Sequence, residues 1–433
     1  MIDLGPLVNK TVDFRFHGAD LRLDLSHALF SSFDIDVGTR LLFKAVGRDE
    51  VLASARRVLD AGSGIGVIGL GVAAAFPSCE ATLRDRDLLA VAFSERNRAR
   101  NKISNAKVEA GLIGSGSIGG PWDYILSNIP AKAGGPVINA FLEEATRALS
   151  PGGRLAVVIV KPLVADFEKL LATLGLGVLA MERGSMHRAY VLQPKKENSD
   201  APPPPMLGEG RPAIAEFPPV SGAPQGQVSV FDEGFFDLAA YRRRSGDFRV
   251  LGKAYKASGY WSLPDFDTIG FPQLAAAEVL GRFASGKPVE KALIINPGIG
   301  HLAMWLALAF GPPSIGLASR DLLSVVAARE NLNLLLHERD LQTSSSILDI
   351  HNLDPAILGP LDLIVEFGDP VPEYDWIADS WARATSLLAP GGLLVVAAPP
   401  TEAVRLEKRR PEGFRLLGEK RKKGSVAVAW RRI

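Results

Sequence analysis

The sequence predicts an α/β protein built from two tandem copies of one domain. Each copy is expected to be a mostly parallel sheet with helices on both faces, closed by an antiparallel hairpin at its C-terminal end. Three observations predict this. Short apolar segments alternate with helical ones in each half, the halves repeat the same landmarks in the same order, and a stretch of different composition separates them.

The separating stretch, residues 195–226, is rich in proline, glycine and charge and has little periodicity. It reads as a linker, extended around Pro202–Pro205. It sets the domains at 1–194 and 227–433. Arg86-Asp87-Leu88-Leu89 recurs as Arg320-Asp321-Leu322-Leu323, and an Asn follows ten residues after each Asp, Asn97 and Asn331. Leu149-Ser150-Pro151-Gly152-Gly153 recurs as Leu388-Ala389-Pro390-Gly391-Gly392. Pro121-Trp122-Asp123-Tyr124-Ile125 recurs as Pro360-Leu361-Asp362-Leu363-Ile364. One match could be chance; several in register mean an internal duplication.

Within the first copy, Val58-Leu59 ends a strand that runs into a glycine-rich turn and an apolar helix, Val67 to Phe76. Ala81-Thr82-Leu83 is a short strand, followed by a charged helix through Arg100. Tyr124-Ile125-Leu126 is the next strand, Phe141 to Leu149 is helical, and the Pro-Gly-Gly turn leads into a strand from Leu155 to Val160. Strands separated by helices of this length form a parallel sheet. Ala189–Leu192 and Val426–Ala429 are expected in the closing hairpins.

Of the 433 residues, 47% are hydrophobic and 22% charged, ordinary globular usage, so each copy has material for a core. The net charge of +1 excludes a global basic field, so any surface for a polyanion must be local. The single Cys79 excludes an intrachain disulfide framework and a cysteine zinc cluster. Met1 to Asp20 is charged throughout, and no apolar run approaches the ~18 residues of a membrane span. A soluble, cytoplasmic protein is expected.

The central motif is Val58-Leu59-Asp60-Ala61-Gly62-Ser63-Gly64-Ile65-Gly66. Glycines at a strand-to-helix turn let the backbone approach a ligand closely. A phosphate would use the helix dipole there, but the Asp60 carboxylate repels phosphate and favours the cationic amino-acid end of S-adenosylmethionine (SAM). The same stretch holds Gly64-Ile65-Gly66-Val67-Ile68-Gly69, the GxGxxG pattern of NAD binders. On the turn alone NAD remains the rival, and a purely structural glycine turn the plainer reading. Asp85, ending the second strand, stands where an acid reaches a ribose hydroxyl of either cofactor. Asp87, kept as Asp321, reads instead as a shared helix N-cap.

The segment from Trp122 to Ala131 separates the cofactors. Asn128, Ile129 and Pro130 lie just past a strand's carboxyl end, where open α/β sheets hold ligands. The Asn128 oxygen and the Ile129 carbonyl can accept hydrogen bonds from an amine and aim its lone pair at a bound methyl donor. The alternative is an Asx turn finishing the strand.

Together these residues resemble the small-domain class I methyltransferases, whose motifs are DxGxGxG and NPPF/Y. Within that class they resemble the ribosomal RNA guanine-N2 methyltransferases, which carry tandem methyltransferase-like domains, one of them degenerate. The segment Phe30–Leu42 resembles their FS…LDxGTxLL stretch, and the likeness spans roughly residues 12–194. The resemblance implies two tandem Rossmann-like methyltransferase domains, the closing hairpin being what sets this sheet apart from simpler dinucleotide folds. It implies a cofactor loop at Asp60, Gly62, Gly64 and Gly66, a ribose-binding acid at Asp85, and an upstream cofactor contact at Gly38 and Thr39. The catalytic segment would be Asn128, Ile129 and Pro130. Ile129 stands where the family has proline. Ala131 stands where it has an aromatic that stacks on the target base, for which Phe33 or Trp122 is the nearby substitute. Residues 108–120 hold no acid past Glu109, where an adenine-binding acid is expected. The implied reaction is SAM-dependent methylation of an exocyclic amine of ribosomal RNA. The alternatives are a protein side-chain amide or small-molecule acceptor, and a non-catalytic RNA- or ribosome-binding protein that retains SAM affinity.

In the second copy the motif aligns with Asn296 for Asp60, Leu302 for the third glycine, Ser319 for Asp85 and Phe367 for Asn128. A folded domain without methyl transfer is expected, a different ligand being the alternative. Its basic runs, Lys408–Arg410, Lys420–Lys423, Arg431-Arg432 and Tyr241–Arg244 with Arg249, Lys253 and Lys256, suit RNA phosphates or form a solvated surface. His27, His187 and His301 have no metal spacing, so no metal is expected, and no membrane partner.

Overall fold

A computed structural model of the chain describes residues 4–30, 32–195, 236–265, 268–284, 288–371 and 373–433. Ser31 and the expected linker beyond Lys195 lie outside the described residues. The described residues fall into two compact units, one ending at Lys195 and one starting at Phe236.

The first unit opens with the hairpin β1 (Lys10–Phe16) and β2 (Ala19–Leu25), then α1 (Val37–Val46), α2 (Glu50–Ser54), β3 (Arg57–Ala61), α3 (Val67–Ala75), β4 (Glu80–Asp85), α4 (Leu88–Arg100) and β5 (Ala106–Ala110). It continues with β6 (Trp122–Asn128), α5 (Gly135–Ala148), β7 (Leu149–Val160), α6 (Val164–Thr173), β8 (Leu176–Arg183) and β9 (His187–Pro194). The sheet order is β5-β4-β3-β6-β7-β9-β8, parallel except for β9, which runs antiparallel to both neighbours. Val58 to Ala61 of β3 are all buried, as in a strand covered on both faces, with Asp60 the one polar side chain among them. Helix α3 is apolar all round and is buried from Val67 to Ala73.

The second unit repeats this plan with β10 (Arg242–Val250), β11 (Lys253–Tyr260), α7 (Phe271–Phe283), β12 (Lys291–Ile295), α8 (His301–Phe310), β13 (Ser314–Ser319), α9 (Leu322–Arg339), β14 (Ser344–Asp349) and α10 (Pro355–Leu358). It ends with β15 (Leu361–Phe367), α11 (Trp376–Leu387), β16 (Leu388–Ala398), α12 (Pro400–Lys408), β17 (Phe414–Lys422) and β18 (Ser425–Arg432). Its sheet order, β14-β13-β12-β15-β16-β18-β17, is that of the first unit element for element. The fold is therefore two tandem Rossmann-like methyltransferase domains, mostly parallel with a C-terminal antiparallel hairpin.

The repeated landmarks have structural reasons. Asp87 and Asp321 are the N-caps of α4 and α9, accepting from Leu89 N and Leu323 N. Asp123 and Asp362 accept from paired backbone amides at the starts of β3 and β12. The Pro-Gly-Gly stretch lies inside β7 and β16 rather than before them, because a register shift after Trp122 and after Leu361 absorbs it as a bulge.

One expected correspondence is wrong. Arg57 pairs with Glu80 as Lys291 pairs with Ser314, so Asp60 corresponds to Ile294 and Gly62 to Asn296. The three glycine positions of the turn become Asn296, Gly298 and Gly300, all at positive φ, and Leu302 is an ordinary helix residue. Asn tolerates that backbone region better than most residues, which is why the turn survives the change.

Candidate active site

The carboxyl ends of β3, β4 and β6 face the glycine turn. Gly62, Gly64 and Gly66 have φ of 81, 57 and 88°. The Gly62 and Ser63 amides donate to Arg84 O, and the Gly64 amide to Asp85 Oδ2 at 2.8 Å. From α4, Ser94 Oγ donates to Gly64 O and Asn97 Nδ2 to Ile65 O. A Cβ on Gly62 or Gly64 would meet nothing within 4 Å, so the space above the turn is open to a ligand. A Cβ on Gly66 would strike Leu70, Leu83 and Ser94 at about 3 Å, so that glycine answers to packing.

Asp60 lies beneath the turn, fully buried. Its Oδ2 accepts from Gly69 N at 2.7 Å, and its Oδ1 has no partner among the described residues. Burial pushes its pKa up to about 7; the Gly69 amide opposes the shift and the Asp85 carboxylate adds to it. The residue expected as the charge partner of a cationic ligand is thus an interior group beneath the turn. Asp85 caps the loop after β4, with Oδ1 accepting from Asp87 N and Oδ2 from Gly64 N.

At the end of β6, Ser127 Oγ donates to Ala61 O at 2.7 Å and ties the strand top to β3. Asn128 Nδ2 donates to Asp36 Oδ2 at 3.0 Å and to Thr39 Oγ1 at 3.1 Å. With both amide hydrogens given away, the side chain has its carbonyl oxygen to offer. Ile129 is buried and its amide donates to Val158 O, while Pro130 O accepts from Ala133 N in the following turn. Thr39, in the first turn of α1, therefore touches Asn128. Gly38 beside it leaves room for the Asp36 carboxylate, 2.7 Å from where a Cβ would sit.

Of the two aromatics expected to replace the missing ring, Trp122 is excluded. It is buried at the opposite end of β6, under the Arg57 guanidinium at 4.8 Å. Phe33 is 69% exposed, edge-on to His27, and lies three residues before Asp36. Glu109 is held in an ion pair by buried Arg84, and Glu144 of α5 accepts from the Ile118 amide in the same 108–120 segment.

The methyltransferase small domain profile matches residues 20–179. The chain is 31% identical over 153 residues to the uncharacterized protein YbxB of Bacillus subtilis, covering 35% of this chain and 75% of that one. The chain belongs to the methyltransferase small-domain family. It is also 35% identical over 143 residues to ribosomal RNA small subunit methyltransferase C of Pasteurella multocida, covering 32% of this chain and 42% of that relative. The matched stretch thus spans about two-fifths of the ribosomal RNA relatives' length. Among solved structures, the 16S rRNA N2-guanine methyltransferase RsmC of T. thermophilus, in complex with AdoMet and guanosine, superposes with a TM-score of 0.63 at 19% identity over 99% of both chains. That likeness concerns the fold.

The second copy of the family domain keeps the turn and closes it. Asn296 Nδ2 donates to Phe367 O and its Oδ1 accepts from Ser319 Oγ, so its side chain links the tops of three strands. A Cβ on Gly298 would lie 3.3 Å from Gln273 Nε2, and Gln273 is held by Asp265. His301, in the place of Val67, is buried against Tyr255, and burial drives its pKa down to about 4.

The C-terminal basic runs are largely paired inside their own unit. Lys420 and Lys422 bind Glu278, Arg409 binds Asp375, Arg410 binds Glu407, and Arg421 binds Glu419. Arg242 pairs with Glu330, and Arg243 stacks over Trp261 at 4.3 Å. Arg249, Lys253 and Lys256 on β10 and β11 are exposed. Asp36 escaped the sequence reading, as did the role of Ser94 and Asn97. The signal for the latter was present, since Asn331 and Ser324 bind Ile299 O and Gly298 O in the same way. Among the described residues no helix is long and apolar enough to cross a membrane.

Proposed function

We propose that the chain is a cytoplasmic SAM-dependent methyltransferase that modifies an exocyclic amine of ribosomal RNA. Residues 1–194 would form the catalytic domain, 195–226 the linker, and 227–433 a degenerate domain that aids RNA recognition. The observation that carries this reading is Asn128: its amide hydrogens are committed to Asp36 and Thr39, and its oxygen stands at the end of β6, where this fold holds ligands.

SAM, when bound, supplies an electrophilic methyl on a sulfonium. The open turn at Gly62 and Gly64 gives its backbone close approach, with Gly66 shaping the turn. Asp85 takes the ribose hydroxyls, and buried Asp60 complements the cationic end. The Asn128 oxygen and Ile129 carbonyl accept the amine's hydrogens and direct its lone pair in line with the methyl. Catalysis is mainly positioning, and the proton leaves the nitrogen after attack. Pro130 stiffens the segment.

Titration of the full chain with SAM and with NAD by calorimetry tests the cofactor; heat from NAD alone would overturn the reading. Labelled methyl from SAM is then offered to total RNA, proteins and extract metabolites. Label in RNA, abolished by Asn128→Ala, is expected. Label only in protein or metabolites would move the acceptor to the alternative class, and SAM binding without transfer would leave a binding protein.

A further inference from the structure

We infer that Asp36 is a positioning residue for the acceptor: with Thr39 it fixes which end of the Asn128 amide faces the substrate, and it backs that end with negative charge. The inference rests on the proposed role of Asn128. An asparagine amide is nearly symmetric in shape, and a flip would present its NH₂ group to an amine that itself carries hydrogens. Only a neighbour that can accept and never donate forbids the flip, and an ionised carboxylate is such a group. Asp36 Oδ2 sits 3.0 Å from Asn128 Nδ2 and 3.2 Å from Thr39 N, and Thr39 Oγ1 takes the second amide hydrogen. Arg40, one turn on, pairs with Asp34 instead.

Gly38 belongs to the same device. A Cβ there would lie 2.7 Å from Asp36 Oδ2 and 3.1 Å from the His187 ring. A side chain there would push the carboxylate off both Asn128 Nδ2 and Thr39 N. Gly38 and Thr39 thus serve the acceptor side of the site in addition to the cofactor contact that the family resemblance implies.

Helix capping alone does not account for Asp36. The equivalent helix of the second copy, α7, starts at Gly270 with no side-chain cap, and there Phe367 replaces Asn128. The acid beside that helix start, Asp265, accepts instead from the side-chain amide of Gln273. The chemistry gives the pair a purpose. As the amine attacks, its nitrogen gains positive charge, and a carboxylate one hydrogen bond behind the Asn128 oxygen polarises the amide toward that charge.

The test uses the full chain labelled with ¹⁵N-asparagine, the Asn128 signal being assigned by its loss in Asn128→Ala. Slow exchange of the Asn128 side-chain amide protons is expected in the wild type, becoming fast in Asp36→Ala. Fast exchange in the wild type overturns the inference, whatever the chain's activity. In methyl transfer to total RNA, Asp36→Asn keeps a good N-cap and SAM affinity within about twofold, yet lowers kcat about tenfold or more with KM little changed. Thr39→Val lowers kcat less, and Thr39→Ser restores it. Wild-type kcat in Asp36→Asn, or a loss of SAM affinity that matches the loss of rate, overturns the inference. Absence of transfer by the wild type to any acceptor would instead strike the proposed function, leaving the exchange result to decide the clamp.

Discussion

Replacing Asp60 by Asn separates what the carboxylate does to the fold from what it does for the site. The group is fully buried, with one oxygen on the Gly69 amide and the other without a partner among the described residues. Burial is the main cause that raises its pKa from 3.8 to about 7. The folded value lies above the unfolded one, so the folded state holds the proton more tightly. Stability is therefore highest below the unfolded value, falls as pH climbs from about 4 to about 7, and carries the full penalty above that. At 1.36 kcal/mol per unit the gap of about 3 units caps this penalty at ~4 kcal/mol, of which ~2–3 kcal/mol develops between pH 5 and pH 8. Asn keeps the shape and the Gly69 contact but does not titrate. Its uncharged amide sets a constant offset between the two proteins, so the discriminating quantity is the slope. Thermal melting of both proteins should show the wild type losing ~5–10 °C relative to Asp60→Asn between pH 5 and pH 8, for a unit of this size. SAM affinity in the wild type should tighten through the same window, because a bound cation favours the ionised carboxylate, and should stay flat in Asp60→Asn. Parallel melting curves would refute the reasoning.

Phe33→Ala should weaken RNA by the ~1–3 kcal/mol of a lost base stack and leave SAM affinity unchanged, as read by RNA titration beside calorimetry. SAM should bind with a stoichiometry of one per chain, and a second site of similar affinity would contradict the closed turn around Asn296 and Gln273. Asn331→Ala removes bonds to the Ser258 amide, Ser258 O and Ile299 O from a buried residue. It should destabilise the second unit by ~2–4 kcal/mol in urea unfolding without changing SAM affinity.

The duplication was legible because landmarks with local jobs recur locally. An N-cap such as Asp87 or Asp321 and a bulge at Pro-Gly-Gly leave short, readable marks. The register of the second turn was not legible, since Asn296-Pro297-Gly298 invites counting from the polar residue, while the parallel ladder through Lys291 and Ser314 sets it two positions away. Nor was the Asn128 clamp. Asp36 lies unremarked within the Phe30–Leu42 stretch, and the contact that ties it to the site reaches across 92 residues of sequence. The pairing of the basic runs was not legible for the same reason: Glu278 on α7 pairs with both Lys420 and Lys422 from far along the chain.

The two copies together sort the turn's residues by purpose. Gly66 and Gly300 are both retained, and a Cβ at Gly300 would lie 2.9 Å from the Ala328 backbone, so the helix packing of either copy demands that glycine. Ser94 with Asn97 and Ser324 with Asn331 hold the turn's carbonyls in both. What the second copy lacks is different in kind. Gly62, with open space above it, has become Asn296, whose side chain spans that region; Asp60, a buried acid with an unpartnered oxygen, has become Ile294; Asn128 has become Phe367. Each change removes an open surface or an uncompensated polar group that a folded domain without a ligand has no reason to keep. A glycine kept for packing and a glycine kept for access look alike in a DxGxGxG string, and the duplicated fold is what tells Gly66 from Gly62.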